Sequence, residues 1–320
     1  MKAAVYYKYG PPEVVSVKEV PTPKINAQEV LIRVHYTTVN RTDCGFRSAE
    51  YFISRFFSGL FNPKIPVLGC EYAGEIVEAG NQVTKYKVGD RVFGFNEKLF
   101  ACHAEFIKVN ENDTFTIIPS GISYEQAVAL TEGIHYALED IRAAKVQPGQ
   151  QVLVYGATGA IGSGAVQLLK HFGAHVTAVC NTKNIDLIKS LGADIVIDYT
   201  KEDYTQSDKR YDFVFDAVGK SSFGASKKVL KPRGIYMSTE LGKNGENVWL
   251  SMLTPIIGGK RLMFPLPKFR PDDARFLAEL AEKGKLKAVI DRTYTLDEIV
   301  DAYKYVETGQ KTGNVLIKVV

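Results

Sequence analysis

Cysteine is scarce in this chain of 320 residues: Cys44, Cys70, Cys102 and Cys180 lie far apart and form no C-x-x-C pair. That spacing argues against a disulfide framework and for reduced thiols in the cytoplasm. Runs of like charge are also missing. Forty Lys and Arg against 36 Asp and Glu leave a net charge of +4, spread along the sequence. Nucleic acid is therefore not the expected main partner, although a local phosphate pocket stays possible. No apolar run is long enough to span a bilayer, and the opening MKAAVYYKYGPPEVV lacks a signal peptide's apolar centre and a transit peptide's arginines. A cytoplasmic protein with no membrane partner is expected. Internal repeats and low-complexity segments are absent too. What remains is ordinary for a globular protein: 45% hydrophobic and 24% charged residues, at a length that suits two domains.

The most informative stretch is Gln151 to Lys183, QVLVYGATGAIGSGAVQLLKHFGAHVTAVCNTK. A short apolar run (Gln151 to Tyr155) leads into Gly156-Ala-Thr-Gly159-Ala-Ile-Gly162, a helical stretch from Ser163 to Phe172, and a second apolar run from His175 to Cys180. Strand, glycine turn, helix, strand is the first half of a dinucleotide-binding βαβ unit. In the G-x-G-x-x-G frame the first position is Ala157, which is small enough to make the turn. Thr158 follows it. Gly159 lets the backbone approach a pyrophosphate, and Gly162 lets the helix pack on the strand. Ala160 and Ile161 lie in the turn ahead of the helix, whose free N–H groups and positive dipole end face the phosphates.

Residues 1 to about 120 read as β-rich, with strands at Ala3–Tyr7, Val14–Val20, Val30–Val39, Tyr72–Ala79 and Phe106–Val109 separated by proline and glycine breaks. Arg41 to Pro63 is irregular and aromatic: Phe46, Tyr51, Phe52, Phe56, Phe57 and Phe61 either pack as core or partner-facing surface, or line a pocket for a flat apolar substrate. From Ser123 the period changes to that of one helix through Ala127, Leu130, Ile134, Leu138 and Ile141. Beyond the βαβ unit, helices at Ile185–Leu191 and Phe223–Leu230 alternate with strands at Ile195–Ile197, Phe213–Ala217 and Ile235–Met237. Such alternation implies a doubly wound parallel sheet. Helices at Asp272–Lys283 and Leu296–Thr308 and a strand at Val315–Val320 close the chain.

Six motifs, in order, carry a family resemblance: Val39-Asn40-Arg-Thr-Asp43; Gly69-Cys-Glu-Tyr-Ala-Gly74 with Val77-Glu-Ala-Gly80; Lys87-Val-Gly-Asp-Arg-Val-Phe93; Val146-Gln-Pro-Gly149; Leu191-Gly-Ala-Asp-Ile-Val-Ile-Asp-Tyr199; and Thr312-Gly-Asn-Val-Leu-Ile-Lys318. Nearly end to end, the chain resembles the medium-chain dehydrogenase/reductase superfamily, and within it the zinc-independent quinone oxidoreductase branch. The resemblance implies an α/β protein with a β-rich GroES-like catalytic domain (residues 1–121 with 265–320) and a Rossmann dinucleotide-binding domain (122–264). It also implies an active-site cleft between the two domains. Asn314, in the last motif, joins the expected cofactor contacts.

An NAD-binding site usually carries Asp or Glu about 20 residues past the glycine turn, on the ribose hydroxyl. Here that position reads Cys180-Asn181-Thr182-Lys183. Lys183 attracts a 2′-phosphate, and Asn181 and Thr182 can donate hydrogen bonds, so NADPH is the expected cofactor; the alternative is that Lys183 is a solvated lysine at a helix start. In the resembling reductases a tyrosine matching Tyr199 lies by that phosphate. Ala217, Val218 and Gly219 end a strand on the ligand side of such a sheet, next to the nicotinamide ribose. Ser238 and Thr239, and Phe264, Pro265 and Leu266, follow two later candidate strands and join the same set.

Zinc alcohol dehydrogenases of this superfamily hold a catalytic metal through cysteine and histidine. The first cysteine position matches Asn40, the histidine of Gly-His-Glu is replaced by Cys70, and the lobe with four close cysteines is missing. Cys44, Cys70, Glu71, Cys102 and His103 fit no standard ligand spacing, so no metal is expected. Without zinc, a hydride acceptor must already be activated: a quinone or an enone. Asn40 and Tyr51 are the candidates for hydrogen bonding to the developing oxygen; a loop-bracing Asn and a packed Tyr are the structural alternatives. A short-chain reductase is excluded, since none of the 17 tyrosines has lysine four residues later. Two other readings stand beside the quinone or enone reductase: an NADPH-binding regulatory or redox-sensor protein with little turnover, and a zinc-type alcohol dehydrogenase. Asn247–Ile257 and Lys260–Phe264 form an apolar stretch that is either core or, by the resemblance, the contact of a homodimer.

Overall fold

Alternating apolar residues of high β-propensity build the first part of the chain. The computed structural model describes residues 1–50, 54–95 and 100–320. β1 (Lys2–Val5) and β2 (Ser16–Glu19) pair antiparallel. β3 (Glu29–Val39) is long because its inward residues Val30, Ile32 and Val34 find a continuous core with Tyr72, Ile76 and Val92. Two helices follow, α1 (Arg41–Ser48) and α2 (Ser54–Ser58), then β4 (Glu71–Ala79), β5 (Arg91–Phe95), β6 (Phe106–Asn110) and β7 (Phe115–Ile117). α3 (Tyr124–Val128) and α4 (Glu132–Ala144) lead on to β8 (Gln151–Tyr155).

From there strands and helices alternate: α5 (Ala160–His171), β9 (His175–Cys180), α6 (Ile185–Ser190), β10 (Ile195–Asp198), β11 (Tyr211–Asp216), α7 (Phe223–Ser226), β12 (Leu230–Ser238), α8 (Glu246–Ile257) and β13 (Arg261–Met263). α9 (Pro271–Glu282), β14 (Ile290–Thr295), α10 (Ile299–Glu307) and β15 (Asn314–Lys318) complete the chain. The contacts divide it into two units, residues 1–132 with 269–320, and residues 133–268. The sequence reading divides it at 121/122 and 264/265. α3 belongs with the first unit because it packs on β3, β4 and β5.

The first unit is a GroES-like β structure in which β14, β15, β3, β4, β5 and β7 pair in that order, with β6 on β3. The second is a Rossmann-like parallel sheet of order β10-β9-β8-β11-β12-β13. Its strand order reverses between β8 and β11, where such sheets bind ligands.

Four expectations are corrected. The stretch called irregular contains α1 and α2. α1 hides from a periodicity reading because it buries Asp43, Cys44 and Arg47 rather than an apolar stripe. Arg47 donates to the Gly10 carbonyl, pairs with Glu307 and sits 5.1 Å over the Tyr303 ring. The single helix from Ser123 is two helices: Ser123 caps α3 in a box with Gln126, and the chain breaks at Ala129 to Thr131 before α4. The helix expected through Leu230 stops at Ser226, since Leu230 already pairs with Tyr211 in the sheet. β5, β7 and β14 went unseen: the first two are short, and β14 is polar and mostly exposed. Of the aromatics between Arg41 and Pro63, Phe46 packs on Phe100 at 4.8 Å while Phe56 and Phe61 are exposed. Tyr51 and Phe52 lie outside the described residues.

Candidate active site

β8 ends at Tyr155 and the chain turns at Gly156, whose φ of +75° supplies the left-handed step. The turn is thus made one residue earlier than the frame suggests. Ala157 is buried in ordinary geometry, with its N–H bonded to the Val179 carbonyl at 3.1 Å. A Cβ on Gly162 would stand 2.2 Å from the Gly156 carbonyl oxygen and 2.8 Å from the Ala157 Cα, so helix and turn meet only without a side chain there. At Gly159 the nearest atom to an added Cβ is 3.9 Å away, leaving open space. Gly159 is also the N-cap of α5, and no side chain caps the helix. The N–H groups of Ala160, Ile161 and Gly162 are left for an anion, beside half-buried Thr158. These residues fit a pyrophosphate.

The strand on the other side of the reversal point delivers a braced loop. Asp216, buried at the end of β11, accepts from the backbone N–H of Val218 (3.2 Å) and Ser221 (2.8 Å) and from the Tyr236 hydroxyl (3.1 Å). Burial pushes its carboxyl above the usual range, and those hydrogen bonds oppose the push. Ala217, Val218 and Gly219 are thereby held against the glycine turn. The Val218 side chain fills the space a Cβ on Gly156 would need, 2.5 Å away.

β9 and β10 are parallel neighbours, so the loops at their ends meet. The Thr182 hydroxyl donates to Asp198 and lies 3.1 Å from the Thr200 hydroxyl. Hydrogen bonds from Thr182 and from the hydroxyl (2.7 Å) and N–H (3.0 Å) of Thr200, Thr182 first, hold the Asp198 carboxyl down to about 2, with Lys201 Nζ at 3.5 Å. Thr182 thus spends its hydroxyl proton on Asp198 rather than keeping it for a ligand. Asn181 accepts from Asn184 through Oδ1, and Lys183 is exposed. Tyr199 is half exposed and lines an open cleft of about 370 Å³ with Tyr155 and the 200–204 segment. Asp198, Thr200 and Lys201 were missed because only strand adjacency brings them beside Thr182.

A second cavity, of about 150 Å³, lies within the same unit. It gathers Ser238, Thr239, Phe264, Pro265 and Leu266, all expected at the site, with Tyr136, Glu139 and Asp140 of α4. Glu139 is held by Arg142 Nη1 at 2.9 Å and by the Lys268 N–H at 3.3 Å. Asp140 forms no hydrogen bond among the described residues, and burial, with Glu139 second, pushes its carboxyl up to about 8. The trio was not expected at the site: Tyr136 and Asp140 lie one helical turn apart beside the apolar stripe of Ile134, Leu138 and Ile141, and only the cavity joins them to residues 238–239 and 264–266.

Asn40, in the first unit, caps α1: its Oδ1 accepts from the Asp43 N–H at 2.9 Å, and Asp43 returns a bond to the Asn40 N–H. Its amide nitrogen lies 3.1 Å from both Cys70 Sγ and Glu71 Oε2. Glu71 also accepts from the hydroxyls of Thr38 and Thr131. His103 hydrogen-bonds the Thr38 carbonyl at 2.7 Å, and burial depresses its pKa to about 4. Among the described residues, Cys44, Cys70, Glu71, Cys102 and His103 do not bring their ligand atoms into a metal-sized cluster. Asn314 Nδ2 lies 3.1 Å from the carbonyls of Ala129 and Val289, within this same unit. Tyr51 lies outside the described residues.

Residues 26–140 match the alcohol dehydrogenase GroES-like domain family, and residues 191–317 the family described as zinc-binding dehydrogenase. The chain is 34% identical to the 2-methylene-furan-3-one reductase of Solanum lycopersicum, over 99% of this chain and 79% of that protein. It is 31% identical, with the same coverage, to the chloroplastic NADPH-dependent alkenal/one oxidoreductase of Arabidopsis thaliana. The solved quinone oxidoreductase of Coxiella burnetii superposes with a TM-score of 0.89 at 28% identity, covering 100% of this chain and 99% of that one. With its motifs, its two folds and these relatives in agreement, the chain belongs to the medium-chain dehydrogenase/reductase superfamily, on its quinone oxidoreductase-like branch.

Proposed function

We propose that this chain is an NADPH-dependent reductase of quinones or activated alkenes that works by hydride transfer without a metal. The observation that carries the reading is the uncapped N-terminus of α5, with open space at Gly159, beside the braced loop 217–219. The activities in the relatives' names, alkenal/one and furanone reduction, agree with it. Bound there, NADPH supplies a hydride to an acceptor that its own conjugated carbonyl has already activated.

The chain's own residues bind and orient. Residues 157–162 take the pyrophosphate on backbone N–H groups. Asn181, Thr182, Lys183 and Tyr199 surround the 2′-phosphate, with Lys183 as the attracting charge and Asp198 muted by Thr182, Thr200 and Lys201. Ala217, Val218 and Gly219, with Ser238, Thr239 and Phe264 to Leu266, border the nicotinamide end. Tyr51 donates to the oxygen that gains charge, and water can reprotonate the product. Asn40 serves the acceptor only by giving up its bond to Cys70, and Asn314 acts as a backbone brace for the site.

Metal independence rests on the donor set. A zinc site needs about four thiolate, imidazole or carboxylate ligands; here Asn40 stands beside Cys70 and Glu71, and the carboxylate is already satisfied by hydroxyl and amide donors. We assign catalysis to the first unit, residues 1–132 with 269–320, and nucleotide binding to the second, residues 133–268. We further propose a homodimer through α8 and the edge strand β13, because α8 exposes Trp249, Met252, Ile256 and Ile257 at the three- and four-residue spacing of one helix face. Four cysteines that form no disulfide favour a reducing compartment, the cytoplasm.

Titration of the purified protein with NADPH and NADH, repeated on Lys183→Ala, tests the cofactor. Tight NADPH binding that the substitution weakens supports the assignment; equal binding of both cofactors, insensitive to it, overturns it. Turnover of a quinone and an enone with NADPH, unchanged by a chelator, tests the reaction and its metal independence.

A further inference from the structure

The cavity beside α4 contains a feature that the proposed reaction does not use. Asp140 is only 8% exposed, lines that cavity, and has no hydrogen-bond partner among the described residues. Its neighbour Glu139 differs: it accepts from Arg142 and from the Lys268 N–H. A buried polar group without a partner is unfavourable to folding and calls for an explanation. Burial and the Glu139 charge keep the Asp140 proton in place at neutral pH. A neutral carboxyl offers one O–H donor and one C=O acceptor side by side. A primary amide presents the matching pair, C=O and N–H.

We propose that Asp140 recognises the carboxamide of the cofactor's nicotinamide ring, pairing its neutral carboxyl with the amide in the cavity formed with Tyr136, Ser238, Thr239 and Phe264. This rests on the reading of that sheet edge as the nicotinamide end of an NADPH site. The cavity volume of about 150 Å³ is of the right order for one small ring with its amide. The other lining residues complement such a group: Phe264, Pro265 and Leu266 offer apolar surface, and Ser238 and Thr239 offer hydroxyls. Among the described residues, Glu139 is the only charged side chain lining the cavity beside Asp140, and Tyr136 the only other titratable one. The 238–239 and 264–267 segments bring none.

The sign of the pH effect follows. Cofactor favours the protonated carboxyl, so affinity is full below the pKa near 8 and falls as pH rises through it. The test compares Asp140→Ala and Asp140→Asn with the parent protein, binding NADPH and 2′,5′-ADP between pH 6.5 and 9.5. The probe 2′,5′-ADP carries the adenosine phosphates without the nicotinamide. Asp140→Ala should weaken NADPH about tenfold and leave 2′,5′-ADP unchanged. Asp140→Asn, which keeps a donor and an acceptor, should restore most of the affinity and remove the loss above pH 8. Unaltered NADPH affinity in Asp140→Ala, with the parent's pH profile, overturns the role of Asp140 and leaves the cofactor reading standing. Equal weakening of both ligands by Asp140→Ala shows a structural effect and also overturns it. Failure of the parent protein to bind either ligand removes the cofactor reading itself.

Discussion

Asn40 shows how one side chain in this protein is claimed by structure before chemistry. Its amide oxygen caps α1 and its amide nitrogen faces Cys70 and Glu71. Asn40→Ala should therefore lower stability by about 1 kcal/mol, the usual worth of an N-cap. Asn40→Asp, which keeps the cap oxygen, should recover the part due to the helix but set a second charge beside Glu71; thermal unfolding of both variants reads the difference. Asp140 makes the opposite case, a side chain that costs stability. The unfolded chain releases that proton near pH 4 and the folded chain near 8, so folding is penalised increasingly across that window. Asp140→Asn should raise the folding stability at pH 7.5 by about 1–3 kcal/mol, read as a higher melting temperature, and the gain should vanish near pH 4. A gain of equal size at both pH values would show that the proton is not the cause.

At the scale of the element, the βαβ unit separates folding from binding. Gly162→Ala drives a methyl into the Gly156 carbonyl and should cost about 1–3 kcal/mol along with cofactor affinity. Gly159→Ala meets no protein atom closer than 3.9 Å, so its melting temperature should hold while NADPH binding drops at least tenfold. Parallel melting and titration of the two variants distinguish a packing glycine from a ligand glycine. This unit was also the most legible part of the sequence. Gln151–Tyr155 and His175–Cys180 are mostly apolar runs with glycine close by, and both ends were placed to the residue. α1 was illegible because its buried face is Asp43, Cys44 and Arg47, whose partners come from Gly10, Gly69, Tyr303 and Glu307, far off in sequence. The site divides in the same way. Residues 157–162 and 217–219 sit on local motifs, whereas Asp198, Lys201 and Asp140 enter only through strand adjacency and a cavity wall.

For the whole molecule, the exposed face of α8 carries the prediction. Ile256 is 83% exposed and Met252 64% exposed, more apolar surface than one helix of a monomer usually shows to water. Ile256→Glu should convert a dimer to a monomer by light scattering while leaving NADPH affinity unchanged; a monomeric parent protein would end the dimer proposal. The placement of the four cysteines has a further consequence, one of chemical self-protection. Enones and quinones are soft electrophiles that alkylate thiolates. Burial pushes Cys44 up to about 12, Cys180 to about 11 and Cys102 well above the usual thiol range, and Cys70 is buried as well. Without an accessible thiolate the chain offers such compounds nothing to attack, so an enzyme that meets them at every turnover is spared inactivation by its own substrate.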